Sequence, residues 1–485
     1  MARNARIPKI DRTNRLFQQA RRLLAKLAEQ RCEDSSDFWA RSMAARGVLA
    51  DLMWEDEQQR LEDACTVEPE IMVDGETYRR LSQASSVLVH GLWGAHVVPE
   101  PLYRLVGVHN GPTIKPLLRR VGVVDHSLLP DLANEAGALL SKMTSREVEE
   151  TLQTQGFRPP SRTTLRNRLG GLLEDMSATA RELEEQCREH EELDFDLGAI
   201  TCGLDRFAAR MDESLPEGPE RDEKLRARRP SREYQRTPPE PYVCRWRMAW
   251  AANVTLYDTQ GRPRRSYRYG ADAGHGALYI AARMVDDIIH LCHDRRDVHV
   301  ACIQDGAGEL DVLRRELRER LPEGVPRQYI VDFHHALGYL DAVVAAEADG
   351  DPRNMAGWYR TKLMTDDKGA AQIVDHLRRR VAAHGRDAPS DLALRDALAN
   401  ALRYFENRRP MMNYAKARAA GLPVGSGSTE STCALLQLRV KHPGSHWRPR
   451  GLRRVLAARA LEVSGRWGAA FRLHHDTLKS DVRPL

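Results

Sequence analysis

Residues 242–258 read YVCRWRMAWAANVTLYD. Tyr242, Cys244, Trp246, Met248, Trp250, Val254 and Leu256 fall on one side of a period-two pattern, and Arg245, Arg247 and Asn253 on the other. Side chains along a β-strand point alternately to opposite faces, so the pattern predicts one long strand. DTQGRP follows as a turn, and RRSYRYGAD returns as the second strand of a hairpin. Upstream, LGAITCGLDRF (197–207) predicts another strand, and the charged, proline-containing 221–241 predicts a mobile loop. Downstream come a helix at 276–293, the nearly continuous apolar strand of DVHVACIQDGA (297–307), a helix at 308–321, and RQYIVDFHHALGYL (327–340), a strand running into a helix.

Three strands followed by β-α-β units, with apolar strands suited to the middle of a sheet covered on both faces, make an α/β fold. The order resembles that of an RNase H-like domain. We expect its first part over 195–335, an all-helical insertion over 336–423, and its C-terminal helices over 424–485. Ahead of it, 1–110 predicts a helical plus β-hairpin region. Leu16, Phe17, Leu23, Leu24 and Leu27 form an apolar stripe within 14–66, and short strands follow between 76 and 108. Residues 111–190 predict a helical DNA-binding domain with a helix-turn-helix. There Gly156, Pro159 and Pro160 punctuate two helices, Ser161 caps the second, and Arg162, Arg166 and Arg168 lie on it. A plain helical hairpin with a solvated basic face fits those residues equally well.

The 485 residues suggest about three domains, and 42% hydrophobic content is enough for real cores. A net charge of +5 from 74 basic and 69 acidic residues permits a nucleic-acid partner without requiring one. The eight cysteines include no CxxC pair, so neither a disulfide framework nor a zinc knuckle is expected. With no signal-peptide core and no apolar run of about 18 residues, the expectation is a cytoplasmic, nucleoid-associated protein with no membrane partner.

Asp205 near the end of the first strand and Asp305 at the end of the fourth would lie on neighbouring strands, where ligand sites of α/β sheets gather. Gly306 and Gly308 allow a tight turn after Asp305. A third carboxylate must come from a later helix, and Glu430 is the candidate. Hard Mg²⁺ takes oxygen donors and keeps several waters, so a few carboxylates and a phosphate suffice. Two such ions about 3.5–4 Å apart support in-line displacement at phosphorus. A D-x-x-H pair, Asp332 and His335, closes the fifth strand. It would contact DNA or orient a water there, or else Asp332 caps a helix and His335 packs in the core.

Residues 424–447 read VGSGSTESTCALLQLRVKHPGSHW. Ser426 or Ser428 is expected to cap a helix with Glu430 in its first turn, where the helix dipole favours a carboxylate. That helix stops before Pro443. Lys441 shares the face of Glu430 and Arg439 points to the opposite side.

CGLDRFAARM, CIQDGAGEL, YIVDFHHALGYL and the stretch from VGSGSTEST through HPGSHWRPRGLRRVLAARAL together resemble the DDE transposases of bacterial insertion sequences, the ISKra-type group in particular, over roughly 195–470. Arg206 follows the first Asp where many relatives have Gly. The resemblance implies a catalytic and metal-binding triad of Asp205, Asp305 and Glu430, with Asp332 auxiliary and His335 assisting. It further implies two Mg²⁺ ions, replaceable by Mn²⁺, and DNA contacts from Arg162, Arg166, Arg168, Arg439, Lys441, Trp447 and the Arg-rich 226–236 loop. The implied reaction is cleavage of transposon-end DNA and transfer of its 3′-OH into target DNA by a homodimer or higher oligomer. Alternatives are a non-catalytic, domesticated DNA-binding descendant and a stand-alone RNase H-like nuclease.

Overall fold

The computed structural model describes residues 18, 20–22, 25, 35–227, 241–308, 311–347, 352–383 and 392–485. All five residues of the apolar stripe, Leu16, Phe17, Leu23, Leu24 and Leu27, and most of the Arg-rich 226–236 loop, lie outside them. The chain divides into two compact units, residues 1–179 with 468–485, and residues 180–467.

In the first unit, helix α1 (Ser35–Ala64) precedes short strands β1 (Glu70–Val73), β2 (Glu76–Arg80), β3 (Ser86–Gly91), β4 (Gly94–Pro99), β5 (Tyr103–Leu105) and β6 (Thr113–Ile114). Helices α2 (Pro116–Val121), α3 (Pro130–Lys142), α4 (Ser145–Thr154) and α5 (Arg162–Ala178) follow. The hairpin β3–β4 alternates cleanly. Val87, Val89 and Val98 are buried with Leu61 and Leu117, whereas Leu88 and Val97 face outward. Thr144 and Glu147 form a reciprocal capping box that starts α4. Ser161 caps α5 as its spacing predicts, accepting from the Thr164 amide.

The second unit begins with α6 (Ala180–His190). It continues with β7 (Leu197–Ser214), α7 (Pro219–Ala227), β8 (Tyr242–Asp258), β9 (Pro263–Ala271), α8 (Ala277–Cys292), β10 (His299–Gln304), α9 (Asp311–Arg320) and β11 (Arg327–Val331). Helices α10 (Phe333–Ala345), α11 (Pro352–Thr365), α12 (Gly369–Ala383), α13 (Leu392–Arg408) and α14 (Tyr414–Ala419) come next, then α15 (Gly427–Val440) and α16 (Pro449–Val463). The sheet order is β11-β10-β7-β8-β9, with β7, β8 and β9 antiparallel and β10 and β11 parallel to β7. Ile280, Met284 and Ile288 of α8 pack on Ile200, Cys202, Val254 and Leu256. The opposite face is shared. Ala199, Ala301, Ile303 and Ile330 lie under α10–α14, while Phe207, Ala209, Met211, Ala249 and Ala251 lie under α15 and α16.

Four expectations need correction. The first strand runs on to Ser214, so Asp205 is mid-strand. Pairing with β10 ends at Cys202, however, so β7 and β8 leave the five-stranded sheet as a two-stranded ribbon close to Asp205. The alternating face of β8 is not buried throughout: Val254 and Leu256 lie under α8, but Tyr242, Trp246 and Met248 are exposed on the ribbon, which α8 does not reach. The charged stretch after β7 opens as helix α7. Finally, 424–485 is not one block. Helix α17 (Trp467–Leu478) lies in the first unit apart from its first residue, and β12 (Val482–Pro484) joins β1 in the order β12-β1-β2-β5-β6.

Candidate active site

Three carboxylates follow shortly after the last registered pairs of the parallel strands. On β7 and β10, Cys202 faces Cys302, and on β10 and β11, Gln304 faces Val331. Asp205 and Asp305 each lie three residues beyond the Cys202–Cys302 pair, and Asp305 and Asp332 each lie one residue beyond the Gln304–Val331 pair. All three have the parity of Gly203, Ile303 and Ile330, so they share the face covered by α15. Asp205 and Asp305 are partly exposed and Asp332 is buried.

Glu430 reaches that face through the closest approach of α15 to the sheet. A Cβ on Gly203 would lie 2.0 Å from Thr429 Oγ1 and 2.9 Å from the Ile303 carbonyl oxygen, so only glycine admits the helix there. Asn253, fully buried opposite Gly203, accepts from Thr429 Oγ1 at 2.7 Å and donates to Ser428 Oγ at 3.0 Å. One β8 side chain thus pins the first turn of α15. Cys433, one turn on, donates to Asp205 Oδ2 at 3.4 Å, and burial, with Asp205 and Glu430 nearby, pushes its thiol pKa up. Ser426 precedes the helix, but its hydroxyl does not cap it as expected. It donates instead to Glu430 Oε1 at 3.2 Å.

Asp332 is committed to backbone. Its Oδ1 accepts the His335 amide at 2.6 Å, capping α10, and its Oδ2 accepts the Ser426 amide at 2.5 Å. The same carboxylate therefore ties β11 to the start of α15. His335 is exposed, not a core residue, and its ring lies 5.7 Å from that of Tyr404. From the helical insertion, Tyr404 donates to the Asp305 carbonyl at 2.8 Å and Arg408 donates to the Gly306 carbonyl. Gly306 has φ +86°, and a Cβ there would meet Arg408. Burial, with Asp305 and Asp332 nearby, raises the Tyr404 pKa. Asn253, Thr429, Tyr404 and Arg408 carry no motif, and of these only the polar-face position of Asn253 was visible in a pattern.

Asp205, Asp305 and Glu430 offer hard oxygen donors on one open face, a set that suits Mg²⁺. They do not form a tight three-donor group. Among the described residues, the one group whose ligand atoms all lie within 4.8 Å of one another is Asp212, Cys244 and His446.

The expected DNA-contacting residues divide. Arg162 and Arg166 are exposed on α5, and Arg168 is exposed but within 3.3 Å of Asp125. Lys441 is exposed at the end of α15, which stops before Pro443. Arg439 is only 7% exposed, and its guanidinium stacks 4.9 Å from the centroid of the Trp447 ring. Trp447 packs on the β7–β8 ribbon and donates from Nε1 to the Val440 carbonyl. These two side chains face the interior, because the chain folds back after Gly444 to bring Trp447 under the end of α15.

No family model matches this chain, and no curated protein matches it. Among solved structures, the chain matches the crystal structure of a pre-cleavage Mos1 transpososome over 57% of its own length and 77% of that chain. Identity is 11% and the TM-score 0.15, a likeness too slight to bear on the reading. Among the described residues, no helix is long and apolar enough to cross a membrane.

Proposed function

We propose that the second unit is an RNase H-like catalytic domain and that the protein is a DDE transposase cutting transposon-end DNA and joining its 3′-OH to target DNA. One observation supports the reading: Asp205 and Asp305 each lie three residues beyond the last registered pair of adjacent parallel strands, and the first turn of the helix bearing Glu430 is fastened to the sheet by Asn253 and Asp332 and packs against Gly203. Asp205, Asp305 and Glu430 would hold the metal ions. Mg²⁺ held there would supply activation of the attacking oxygen and stabilisation of the leaving one.

The chain's own groups set the geometry. Asp332 holds the turn before α15 and so the position of Glu430. Tyr404 and Arg408 hold the loop after Asp305. His335, exposed near the start of α10, would donate to a phosphate oxygen. Helices α3, α4 and α5 pack together, and the N-terminal half of α5, with Arg162 and Arg166 exposed, is suited to the end-DNA duplex. Lys441 would meet backbone phosphate.

The test is incubation of the full chain with duplexes taken from the DNA flanking its gene, with Mg²⁺ or Mn²⁺. Strand cleavage that disappears in Asp305→Asn is expected. Cleavage undiminished in that variant would overturn the triad, and sequence-specific binding without cleavage by the native chain would favour a non-catalytic descendant.

A further inference from the structure

We propose that Asp212, Cys244 and His446 form a second metal site, of the zinc class, on the β7–β8 ribbon. It stands apart from the carboxylate face and does not depend on the transposase reading. Asp212 and Cys244 are directly opposed in the antiparallel register of β7 and β8, so their side chains leave the same face of the ribbon. His446 reaches that face from the connection between α15 and α16. Trp447 forms a parallel bridge with Met211, its amide donating to the Arg210 carbonyl at 3.0 Å and its carbonyl accepting the Asp212 amide at 2.8 Å. With Trp447 turned inward beside Met211, the preceding His446 turns to the opposite face, where its Nδ1 lies 3.1 Å from Asp212 Oδ1.

Three donors of different chemistry thus converge, all within 4.8 Å of one another, from two strands and a distant connection. A thiolate, an imidazole and a carboxylate are the donor types of Zn²⁺, and a thiolate with an imidazole is too soft a set for Mg²⁺. Three protein donors leave a fourth tetrahedral position to water, consistent with the exposure of Cys244 and His446. Arg210, on the same ribbon face, donates from Nε to Cys244 Sγ at 2.9 Å. Such a partner orients a ligating sulfur. The bound ion would fasten the segment after the Glu430 helix to the ribbon. Its role is to hold that segment in place, and no chemistry is assigned to it.

The test uses the full chain, stripped with chelator and titrated with Co²⁺ as a spectroscopic stand-in for Zn²⁺. Co²⁺ on carboxylates alone gives no sulfur-to-metal charge-transfer band, so the band reports a thiolate ligand even if the Asp305 site also fills. We expect the band in the native chain, its displacement by Zn²⁺, its loss in Cys244→Ser, and roughly tenfold or greater weakening in His446→Gln. Cys433→Ser, which removes the thiol beside Asp205, should leave it intact. Absence of the band, its survival in Cys244→Ser, or its loss in Cys433→Ser alone would each overturn the proposal.

Discussion

Gly203→Ala is the substitution that most directly probes how Glu430 is placed. The backbone at Gly203 is extended, so alanine meets no conformational penalty, and the whole effect is steric. The new methyl would sit 2.0 Å from Thr429 Oγ1 and 2.9 Å from a carbonyl of the neighbouring strand. The carbonyl belongs to the sheet and cannot retreat, so Thr429 must give way. Rotating its side chain breaks the 2.7 Å bond to Asn253, which is buried. Overpacking costs about 1–3 kcal/mol and the lost hydrogen bond about 1 kcal/mol, together about 2–4 kcal/mol. If α15 moves instead, Glu430 moves with it, and a displacement of about 1 Å at a catalytic group costs on the order of a hundredfold in rate.

Urea denaturation followed by tryptophan fluorescence, with the cleavage assay alongside, measures both outcomes. Gly427→Ala is the control, since a Cβ there meets nothing within 4 Å, and it should be neutral or slightly stabilising. A double-mutant cycle with Thr429→Ala isolates the contact. Without Oγ1 the severest clash is removed, while the 2.9 Å approach to the Ile303 carbonyl remains, so Gly203→Ala should cost less in that background. A cost below about 0.5 kcal/mol in the native background, or the same cost in both, would refute the idea that this glycine sets the helix position.

Other expectations follow from the same geometry. Asp305→Asn and Glu430→Gln should each lower cleavage by on the order of a thousandfold, about 4 kcal/mol of transition-state stabilisation, while leaving circular dichroism and the denaturation midpoint nearly unchanged. Arg439→Ala should destabilise the chain by about 1 kcal/mol through loss of its stack on Trp447. Lys441→Ala should leave stability alone and reduce the salt dependence of DNA binding by about one phosphate contact; the reverse pattern would show the two roles exchanged. Glu100 is fully buried and its carboxylate accepts the Leu117 amide at 2.7 Å, yet burial raises its pKa. A raised carboxyl pKa means that the folded state holds more protons than the unfolded one, so this group's contribution to stability falls as pH rises through the folded value. Glu100→Gln, which can still accept that amide, should flatten the loss of stability between acid and neutral pH, seen by denaturation across that range.

The sequence was most readable where one physical rule decides a whole element. The β8 alternation, the apolar run of β10 and the Asp-Gly turn after it each follow from local pattern, and together they impose the sheet order. The apolar residues of β8 misled over 242–248 because period two reports a strand without saying whether another element covers it. Arg439 misled for the related reason that a charge on a helix says nothing of a tryptophan eight residues on that folds back over it. The buried ion pairs of Arg466 and Arg188 with Asp287, and of Arg283 with Glu184, were equally hidden, since each joins residues about a hundred or more positions apart.

Two kinds of residue therefore make up the candidate site, and they differ in what betrays them. A carboxylate at a strand end can be named from its own neighbours, because the strand, the turn and the acid are contiguous. What would make Asp205, Asp305 and Glu430 a site is the set of groups around them: Gly203 by having no side chain, Asn253 by bonding two hydroxyls of α15, Asp332 by joining β11 to Ser426, and Tyr404 by holding the carbonyl of Asp305. Each acts across a long sequence separation, which no local pattern reports. Asp332 illustrates the difference. Its D-x-x-H spacing with His335 invites a role at the metal, but both of its oxygens are taken by backbone amides, so its contribution is to the position of Glu430. Asp332→Asn keeps one acceptor oxygen and gives up the second and the charge, and so should loosen the turn before α15 without removing any ligand oxygen from the face.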